Sequence, residues 1–158
     1  MKTIVIDTNT LVLYLLCSTN VNYLKSHDRL NAFDENDFIY IDGILKTFDR
    51  VITTPNVWTE VDDLCTNTIK GDDKYIYICI IKKLVNDFIE IYTPTKKLSE
   101  NHNAFYNLGF ADTGLLELSI EHKNLITTDS KLSDFARASN VTVLDLTEYK
   151  TQKILSTP

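Results

Sequence analysis

Short runs of apolar, β-branched residues alternate along this chain with longer segments whose apolar residues recur at helical spacing. The runs predict five strands, at 3–6, 50–53, 88–92, 125–127 and 141–144. The first run is continuously apolar, which is typical of a central parallel strand that is covered on both faces. Strands that alternate with helices predict an α/β domain with a five-stranded, mostly parallel sheet. Right-handed crossovers then place helices on both faces of the sheet.

Local start signals mark the helices between these strands. Thr54 and Pro55 follow the second run. A hydroxyl residue before Pro is a strong helix start, because the hydroxyl can cap the first turn and Pro fits the first helical position. After the first run, Thr8 or Asn9 is predicted to cap the next helix. The acidic residues at 34–37 indicate the first turn of a further helix, where negative charge is favourable.

The length of 158 residues, with 44% apolar and 24% charged residues, is that of one soluble globular domain. We expect a single domain over 1–146, with a long irregular segment at 17–37, and a C-terminal tail over 147–158 that forms a surface helix. Polar residues interrupt every apolar run well before about 18 residues, so no membrane span is predicted. The first run lacks a small-residue cleavage site, which argues against a signal peptide and favours the cytoplasm.

The cysteines and histidines show neither a disulfide nor a zinc pattern. No C-x-x-C pair and no ligand-spaced His pair occurs among Cys17, Cys65, Cys79, His27, His102 and His122. We expect the cysteines to be small buried apolar residues in a reducing compartment, and no zinc site is predicted. His102 lies in a polar stretch, so it is expected at the surface and not in proton transfer.

The net charge of −6, from 22 acidic and 16 basic residues, disfavours a protein that grips nucleic acid through a broad basic surface. It does not exclude a nuclease, because a metal site made of carboxylates adds negative charge that bound cations cancel. Among the sparse basic residues, Lys131 and Arg137 are the better candidates for binding phosphate, since both follow Asp129 closely. The alternative for both is a solvated helix face.

Four acidic residues stand out by position. Asp7 and Asp129 directly follow apolar strands, and Glu60 lies one to two turns into the helix after the second strand. In a parallel sheet, ligands bind outside the carboxyl ends of the strands, where the strand order reverses, so these three acids are expected there. Asp112 begins an otherwise apolar helix that precedes the fourth strand. We expect that helix to start at the opposite edge, unless a break at 107–109 returns the chain.

Carboxylates that converge at one edge repel one another unless cations lie between them. Oxygen-only ligands suit Mg²⁺ or Mn²⁺ and not zinc. A pair of such ions can hold a phosphate, generate hydroxide and stabilise the leaving oxygen, which is the chemistry of phosphodiester hydrolysis. The alternative is structural, because each acid taken alone also suits a helix cap, a dipole partner or a solvated helix face.

The order and framing of these acids resemble the PIN-domain nucleases, a family that includes the toxin subunits of many bacterial toxin–antitoxin pairs. The resemblance rests on IVIDTN at 4–9, on Thr54-Pro55 followed by Glu60, on Ala111-Asp112 at a helix start and on ITTD at 126–129. It covers about residues 2–146. It implies a PIN-like three-layer fold and Mg²⁺- or Mn²⁺-dependent endonucleolytic cleavage of RNA.

Carried over by position, the resemblance implies that the metal-coordinating, catalytic acids are Asp7, Glu60, Asp112 and Asp129. It also implies that Asn9 and Thr127 support these acids through hydrogen bonds. The partners that it implies are an RNA substrate, an antitoxin protein if the chain is a toxin, and a second copy of the chain. A homodimer is also favoured by the helix over 75–81, which is too apolar all round for a monomer surface.

Two other classes stay open. A PIN-like binding module that has lost nuclease activity would keep the fold, although the presence of all four acids argues against such a loss. A small phosphatase-like α/β domain would use Asp7 as the phosphoryl acceptor. Haloacid-dehalogenase-type phosphatases carry a second Asp two residues later, and Asn9 stands at that position here. The 17–37 segment is longer than a minimal PIN domain requires, so the branch of the family stays open.

Overall fold

The structure is a computed structural model that describes residues 1–155. Its centre is an all-parallel, five-stranded sheet with the strand order β3-β2-β1-β4-β5. The strands are β1 (Thr3–Ile6), β2 (Arg50–Thr53), β3 (Ile89–Glu90), β4 (Asn124–Thr127) and β5 (Thr142–Asp145). The prediction of an α/β fold with a five-stranded parallel sheet is therefore confirmed.

Helices connect the strands and cover the sheet. They are α1 (Thr8–Thr19), α2 (Glu35–Leu45), α3 (Pro55–Thr68), α4 (Asp73–Asp87), α5 (Thr95–Glu100), α6 (His102–His122), α7 (Ser130–Ala138) and α8 (Leu146–Leu155), with a 3₁₀ helix at Val21–Lys25. Helix α1 packs against α2, α3 and α4, whereas α6 packs against α5, α7 and β1. The chain runs outward from β1 to β3 and then from β4 to β5. Because crossovers between parallel strands are right-handed, this order places the two groups on opposite faces.

The middle of the sheet is fully buried and contains the point where the strand order reverses. Residues 4–6 of β1 and Ile126 of β4 have no exposed surface, as the continuous apolar run predicted. The chain leaves β1 towards β2 and leaves β4 towards β5, in opposite directions. The carboxyl ends of these neighbouring strands therefore form the switch point of the sheet. Asp7 and Asp129 follow the two strands at this point.

The cap of α1 is Asp7, so the prediction of Thr8 or Asn9 is wrong. Oδ1 of Asp7 accepts a hydrogen bond from the backbone N–H of Thr10 (2.8 Å), because a carboxylate reaches the free N–H groups of a first turn as well as a hydroxyl does. The predicted start of α3 is confirmed. Thr54 caps this helix, and Pro55 is its first residue.

Segment 17–37 was predicted as a loop with a short helix inside it, and it contains more helix than that. Helix α1 extends to Thr19, the 3₁₀ helix follows, and α2 begins at Glu35. The acidic start of α2 is confirmed, since Asp34 and Asp37 form a reciprocal capping box. Strand β3 is shorter than predicted, with two residues in place of five. It lies at the edge of the sheet and pairs with β2 alone.

The outer face of α4 carries exposed apolar residues. Tyr75 and Val85 are 76% and 51% exposed. Cys79 is also exposed on this helix, so the prediction of a buried cysteine is wrong at that position and holds for Cys17 and Cys65. The polar residues of α4 face solvent as well. A helix on the outside of a sheet buries only the side of its surface that packs against the protein.

The C-terminal helix α8 packs on the body of the domain. The ring of Tyr149 stacks on that of Tyr40 in α2, with centroids 3.8 Å apart. Residues 156–158 of the predicted tail helix lie outside the described residues. Across residues 1–155, no helix combines the length and apolar character needed to cross a membrane.

Candidate acid site at the carboxyl edge of the sheet

Asp7 is fixed in place across the junction of β1 and β4. The residue is 3% exposed. Besides its bond to Thr10, it accepts hydrogen bonds at Oδ2 from the hydroxyl of Thr127 and from the backbone N–H of Thr128 (3.1 Å). Burial raises the pKa of Asp7, and the hydrogen bonds from these three residues oppose that rise.

Thr127 connects Asp7 with Asp129. Its hydroxyl donates to Asp7 and accepts a hydrogen bond from the backbone N–H of Asp129 (2.9 Å). Asp129 is the cap of α7, where its Oδ1 accepts from the backbone N–H of Leu132 (2.8 Å). The structure thus places Thr127 in contact with one predicted acid and beside another, at the position where a supporting residue was expected.

Asp112 lies at the same edge, although the sequence argument placed the start of its helix at the opposite one. That expectation is wrong, because a helix that joins two parallel strands runs antiparallel to both and descends from their carboxyl ends. Near the end of α6, Nδ1 of His122 lies 3.3 Å from Oγ1 of Thr3 at the amino end of β1. The break at 107–109 does exist, since Gly109 has φ 75° and ψ −172° inside α6. Only Gly adopts this backbone conformation readily.

The other three predicted acids lie near enough to Asp112 for their charges to act on it. Burial raises the pKa of Asp112 to about 7, together with the negative charges of Asp129, Asp7 and Glu60 in that order. No N–H or hydroxyl group of residues 1–155 donates a hydrogen bond to this carboxylate. The four acids, hereafter the site cluster, therefore share one region at the switch point.

Glu60 lies on the solvent side of the site cluster. Its Oε2 accepts a hydrogen bond from the Thr8 hydroxyl (2.9 Å), and its side chain is 43% exposed. Its Oε1 lies 3.7 Å from Nη1 of Arg29. The same nitrogen donates to Oδ1 of Asn9 (3.1 Å), so Asn9 contacts Arg29 and not an acid. Sequence reasoning missed both Arg29 and Thr8. A hydroxyl directly after a strand-end acid was a usable signal for Thr8, and the local sequence offered none for Arg29.

Buried hydroxyl groups also occur in the elements that meet near this edge. Three of them, on Thr53, Thr113 and Ser133, are buried without a hydrogen-bond partner among residues 1–155. Each belongs to the last residue of a strand, to the first turn of a helix or to the residue after Asp112. Buried hydroxyls without partners are uncommon in folded proteins. Their oxygens have almost no exposed surface, so they do not line the edge as the acids do.

The two predicted phosphate-binding residues lie in different settings. The guanidinium of Arg137 binds both carboxylate oxygens of Glu148, with Nη2 2.7 Å from Oε2. This pairing occupies the fork that a phosphate would need. Lys131 is exposed in the first turn of α7, two residues after Asp129. His102 is exposed at the first position of α6, as the polar stretch around it predicted.

The site cluster has the donor chemistry of a hard divalent cation, since all of its ligand atoms are oxygen. In the part of the chain that the structure describes, no three acidic, histidine or cysteine side chains are grouped closely enough to hold a metal ion as they stand. A cation between the acids would replace their mutual repulsion with attraction and draw them together. The ligand atoms are therefore of the type that Mg²⁺ or Mn²⁺ prefers. Binding requires the carboxylates to move closer together.

Known proteins provide no direct guide to the site. Comparisons of the chain with protein-family models, with curated proteins and with solved structures found no match. A functional assignment therefore depends on the four acids, their order along the chain and their meeting at the switch point.

Proposed function

We propose that the chain is a PIN-type endoribonuclease, which hydrolyses RNA phosphodiester bonds with Mg²⁺ or Mn²⁺ at the carboxyl edge of its sheet. The observation that carries this proposal is the meeting of four acids, which come from four separate parts of the chain, at the switch point. Like charges held together weaken a fold. Their presence at the usual ligand position of such a sheet favours a function that uses cations.

Helix capping accounts for part of the site cluster and not for the whole. Asp7 and Asp129 cap α1 and α7, which is a sufficient structural role for each. Asp112 receives no hydrogen bond from residues 1–155 and lies beside three other negative charges. Glu60 lies in the second turn of α3, which Thr54 already caps. Glu60 accepts a hydrogen bond from Thr8 and lies 3.7 Å from Arg29, whereas nothing of this kind offsets the repulsion that Asp112 adds.

The residues of the site cluster differ in how firmly they are held. Asp7 is the fixed member, because three donors orient its two oxygens. Thr127 positions Asp7 and the backbone of Asp129 together. Asp112 and Glu60 are less constrained and can move towards a cation. When bound, the ions supply a Lewis acid for the phosphate and hydroxide at neutral pH.

The geometry argues against a phosphatase that uses Asp7 as nucleophile. A phosphoryl acceptor needs an oxygen that the phosphorus atom can approach. Asp7 is 3% exposed, and both of its oxygens already accept hydrogen bonds. A binding module without nuclease activity would keep the same acids and the same cation, so it differs from our proposal only in the cleavage step.

The proposal extends to location and partners. We place the chain in the cytoplasm, with RNA as its substrate and an antitoxin protein and a second copy of the chain as its partners. The antitoxin follows from the PIN resemblance alone. The exposed apolar residues of α4, among them Tyr75 and Val85, support the second copy.

A closed circular RNA tests the proposal, because it has no ends for an exonuclease. We expect the chain to linearise it with Mg²⁺ or Mn²⁺ and to leave it intact in EDTA. Asp129→Asn keeps a good helix cap and should lower cleavage at least about a hundredfold, since an anionic ligand is lost. Asp134→Asn, an exposed acid on the same helix, is the matched control and should keep its activity.

Two results would count against this assignment. Cleavage that persists in EDTA would mean that the site cluster and its cation are not responsible for the activity. Equal activity of Asp129→Asn and Asp134→Asn would mean the same. Binding of Mn²⁺ by a chain that cleaves no RNA would instead favour the binding module.

A further inference from the structure

Arg29 brings a positive charge to the site cluster from outside the predicted motifs. It lies between the 3₁₀ helix and α2. Its Nη1 donates to Oδ1 of Asn9 on α1 and lies 3.7 Å from Oε1 of Glu60 on α3. The guanidinium therefore bridges two helices that both begin at the carboxyl edge of the sheet.

The backbone of Arg29 is anchored by its neighbours. His27 and Leu30 are 8% and 1% exposed. The backbone N–H of Arg29 donates to Nδ1 of His27 (3.3 Å), and that of Leu30 donates to the carbonyl oxygen of His27 (2.8 Å). Buried residues on both sides thus hold the base of the side chain beside the site.

The guanidinium itself is loosely held. The Arg29 side chain is 48% exposed, and its 3.7 Å separation from Glu60 exceeds a hydrogen bond. Of the five N–H donors of the guanidinium, one donates a hydrogen bond within residues 1–155, to Asn9. An exposed ion pair of this length adds little to stability. The remaining donors form the planar fork that matches phosphate oxygens.

We infer that Arg29 binds a phosphate of the RNA substrate beside Glu60; this inference rests on the proposed function. A polyanion that approaches four carboxylates needs positive charge on the protein as well as bound cations. Arg137 cannot provide that charge while it is paired with Glu148. Arg29 is anchored at its backbone, half exposed at its head and adjacent to the acids, which is the arrangement that a phosphate contact requires.

The test compares Arg29→Gln and Arg29→Lys with the unmodified chain in cleavage of the circular RNA at several salt concentrations. Arg29→Gln should lower kcat/KM by about tenfold to a hundredfold, the effect of losing a charge-assisted hydrogen bond. It should also reduce the slope of log kcat/KM against log salt by about one, as expected for one lost phosphate contact. Arg29→Lys should recover part of the loss, because it keeps the charge without the fork.

Lys123→Gln provides the matched control. Lys123 is exposed at the turn that precedes β4, at the opposite edge of the sheet, so this variant changes the net charge equally and should leave both quantities unchanged. Mn²⁺ should raise the melting temperature of Arg29→Gln at least as much as that of the unmodified chain. The melting temperature reports on binding of Mn²⁺ by the acids in the absence of RNA.

Two outcomes overturn the inference and leave the proposed function intact. One is an Arg29→Gln variant with unchanged kcat/KM and salt slope. The other is a variant whose cleavage falls together with its response to Mn²⁺, which would mean that Arg29 acts through Glu60. If the unmodified chain neither responds to Mn²⁺ nor cleaves RNA, the proposed function fails as well, and the two failures are therefore distinguishable.

Discussion

Two groups of acids lie at helix starts in this molecule, and their surroundings differ. In the α2 cluster, Asp34 and Asp37 each accept a hydrogen bond from the other's backbone N–H, at 3.0 and 2.9 Å. Nζ of Lys150 lies 3.4 Å from Oδ2 of Asp37. Burial alone would raise the pKa of Asp34, but the Asp37 N–H, the charge of Lys153 and other nearby donors and charges hold it below its usual value.

The site cluster has the same kind of side chain with fewer partners. Asp112 receives no hydrogen bond from residues 1–155, and burial beside three other acids raises its pKa to about 7. The α2 cluster therefore stabilises the fold, whereas the site cluster opposes it. The donors around an acid, and not its place at a helix start, therefore separate a carboxylate that stabilises the fold from one that opposes it.

The largest expected effect is on RNA cleavage. Asp112→Asn should lower metal-dependent cleavage at least about a hundredfold, because an anionic ligand of the site is lost. Asp37→Asn should change it by less than about twofold, since Asp37 serves the start of α2 and its loss affects folding alone. Both rates are measured at saturating metal, below the melting temperature of either variant. Similar losses of cleavage in the two variants would mean that the site cluster is no more important for activity than the α2 cluster.

The next effect is on stability without metal. In EDTA at about pH 8, Asp112→Asn should be more stable than the unmodified chain by about 1 to 3 kcal/mol, since it removes a charge that the fold disfavours. The pKa of Asp112 is about 7 when folded and near 3.8 when unfolded. The native state therefore binds more protons between these values, and stability falls as pH rises through that window.

Urea unfolding at several pH values checks this prediction. The advantage of Asp112→Asn should be near zero at the acid end of the window and should reach its full size above about pH 7. Asp37→Asn should show no such gain. An advantage that is absent at alkaline pH would mean that neither burial nor the neighbouring acids disfavour the charge of Asp112.

A smaller loss is expected in the α2 cluster. Asp34→Ala removes the cap of α2 and should lower the free energy of unfolding by about 1 kcal/mol. Asp63→Ala, on the exposed face of α3, should stay within about 0.5 kcal/mol of the unmodified chain. Thermal unfolding at neutral pH measures both. An Asp34→Ala variant that is as stable as the unmodified chain would mean that the α2 cluster does not stabilise the fold.

The smallest effect concerns association and not the fold of one chain. Light scattering at tens of micromolar should give twice the mass of one chain, because the exposed Tyr75 and Ile76 of α4 are expected to meet a second copy. Ile76→Glu should give the mass of one chain with an unchanged melting temperature. A single-chain mass for the unmodified protein would contradict the predicted homodimer.

The sequence predicted the fold and the strand-end acids for a clear physical reason. Apolar strands and helical spacing are local signals, and Asp7 and Asp129 stand next to them in the chain. The edge on which Asp112 lies was misjudged, because the direction of its helix relative to the strands was assigned wrongly. Capping by Asp7 was predicted only as the alternative to a metal-binding role, because Thr8 and Asn9 follow it directly and compete as candidate caps.

Arg29 could not be predicted from local sequence. Its hydrogen-bond partner, Asn9, lies 20 residues away, and the contact exists because segment 17–37 packs back over α1. The same holds for the bond from Thr8 to Glu60, which spans 52 residues. Such contacts arise from tertiary packing, which spacing along the chain does not report.

The most direct measurement of the central claim, that the site cluster binds a divalent cation, is a melting experiment with Mn²⁺. The unmodified chain and Asp112→Asn are melted at about pH 8, in EDTA and in millimolar Mn²⁺. We predict that in EDTA the unmodified chain melts below Asp112→Asn, that Mn²⁺ raises its melting temperature by mass action, and that Asp112→Asn responds much less. An unmodified chain that melts above Asp112→Asn in EDTA and does not respond to Mn²⁺ would mean that the site cluster does not bind a divalent cation.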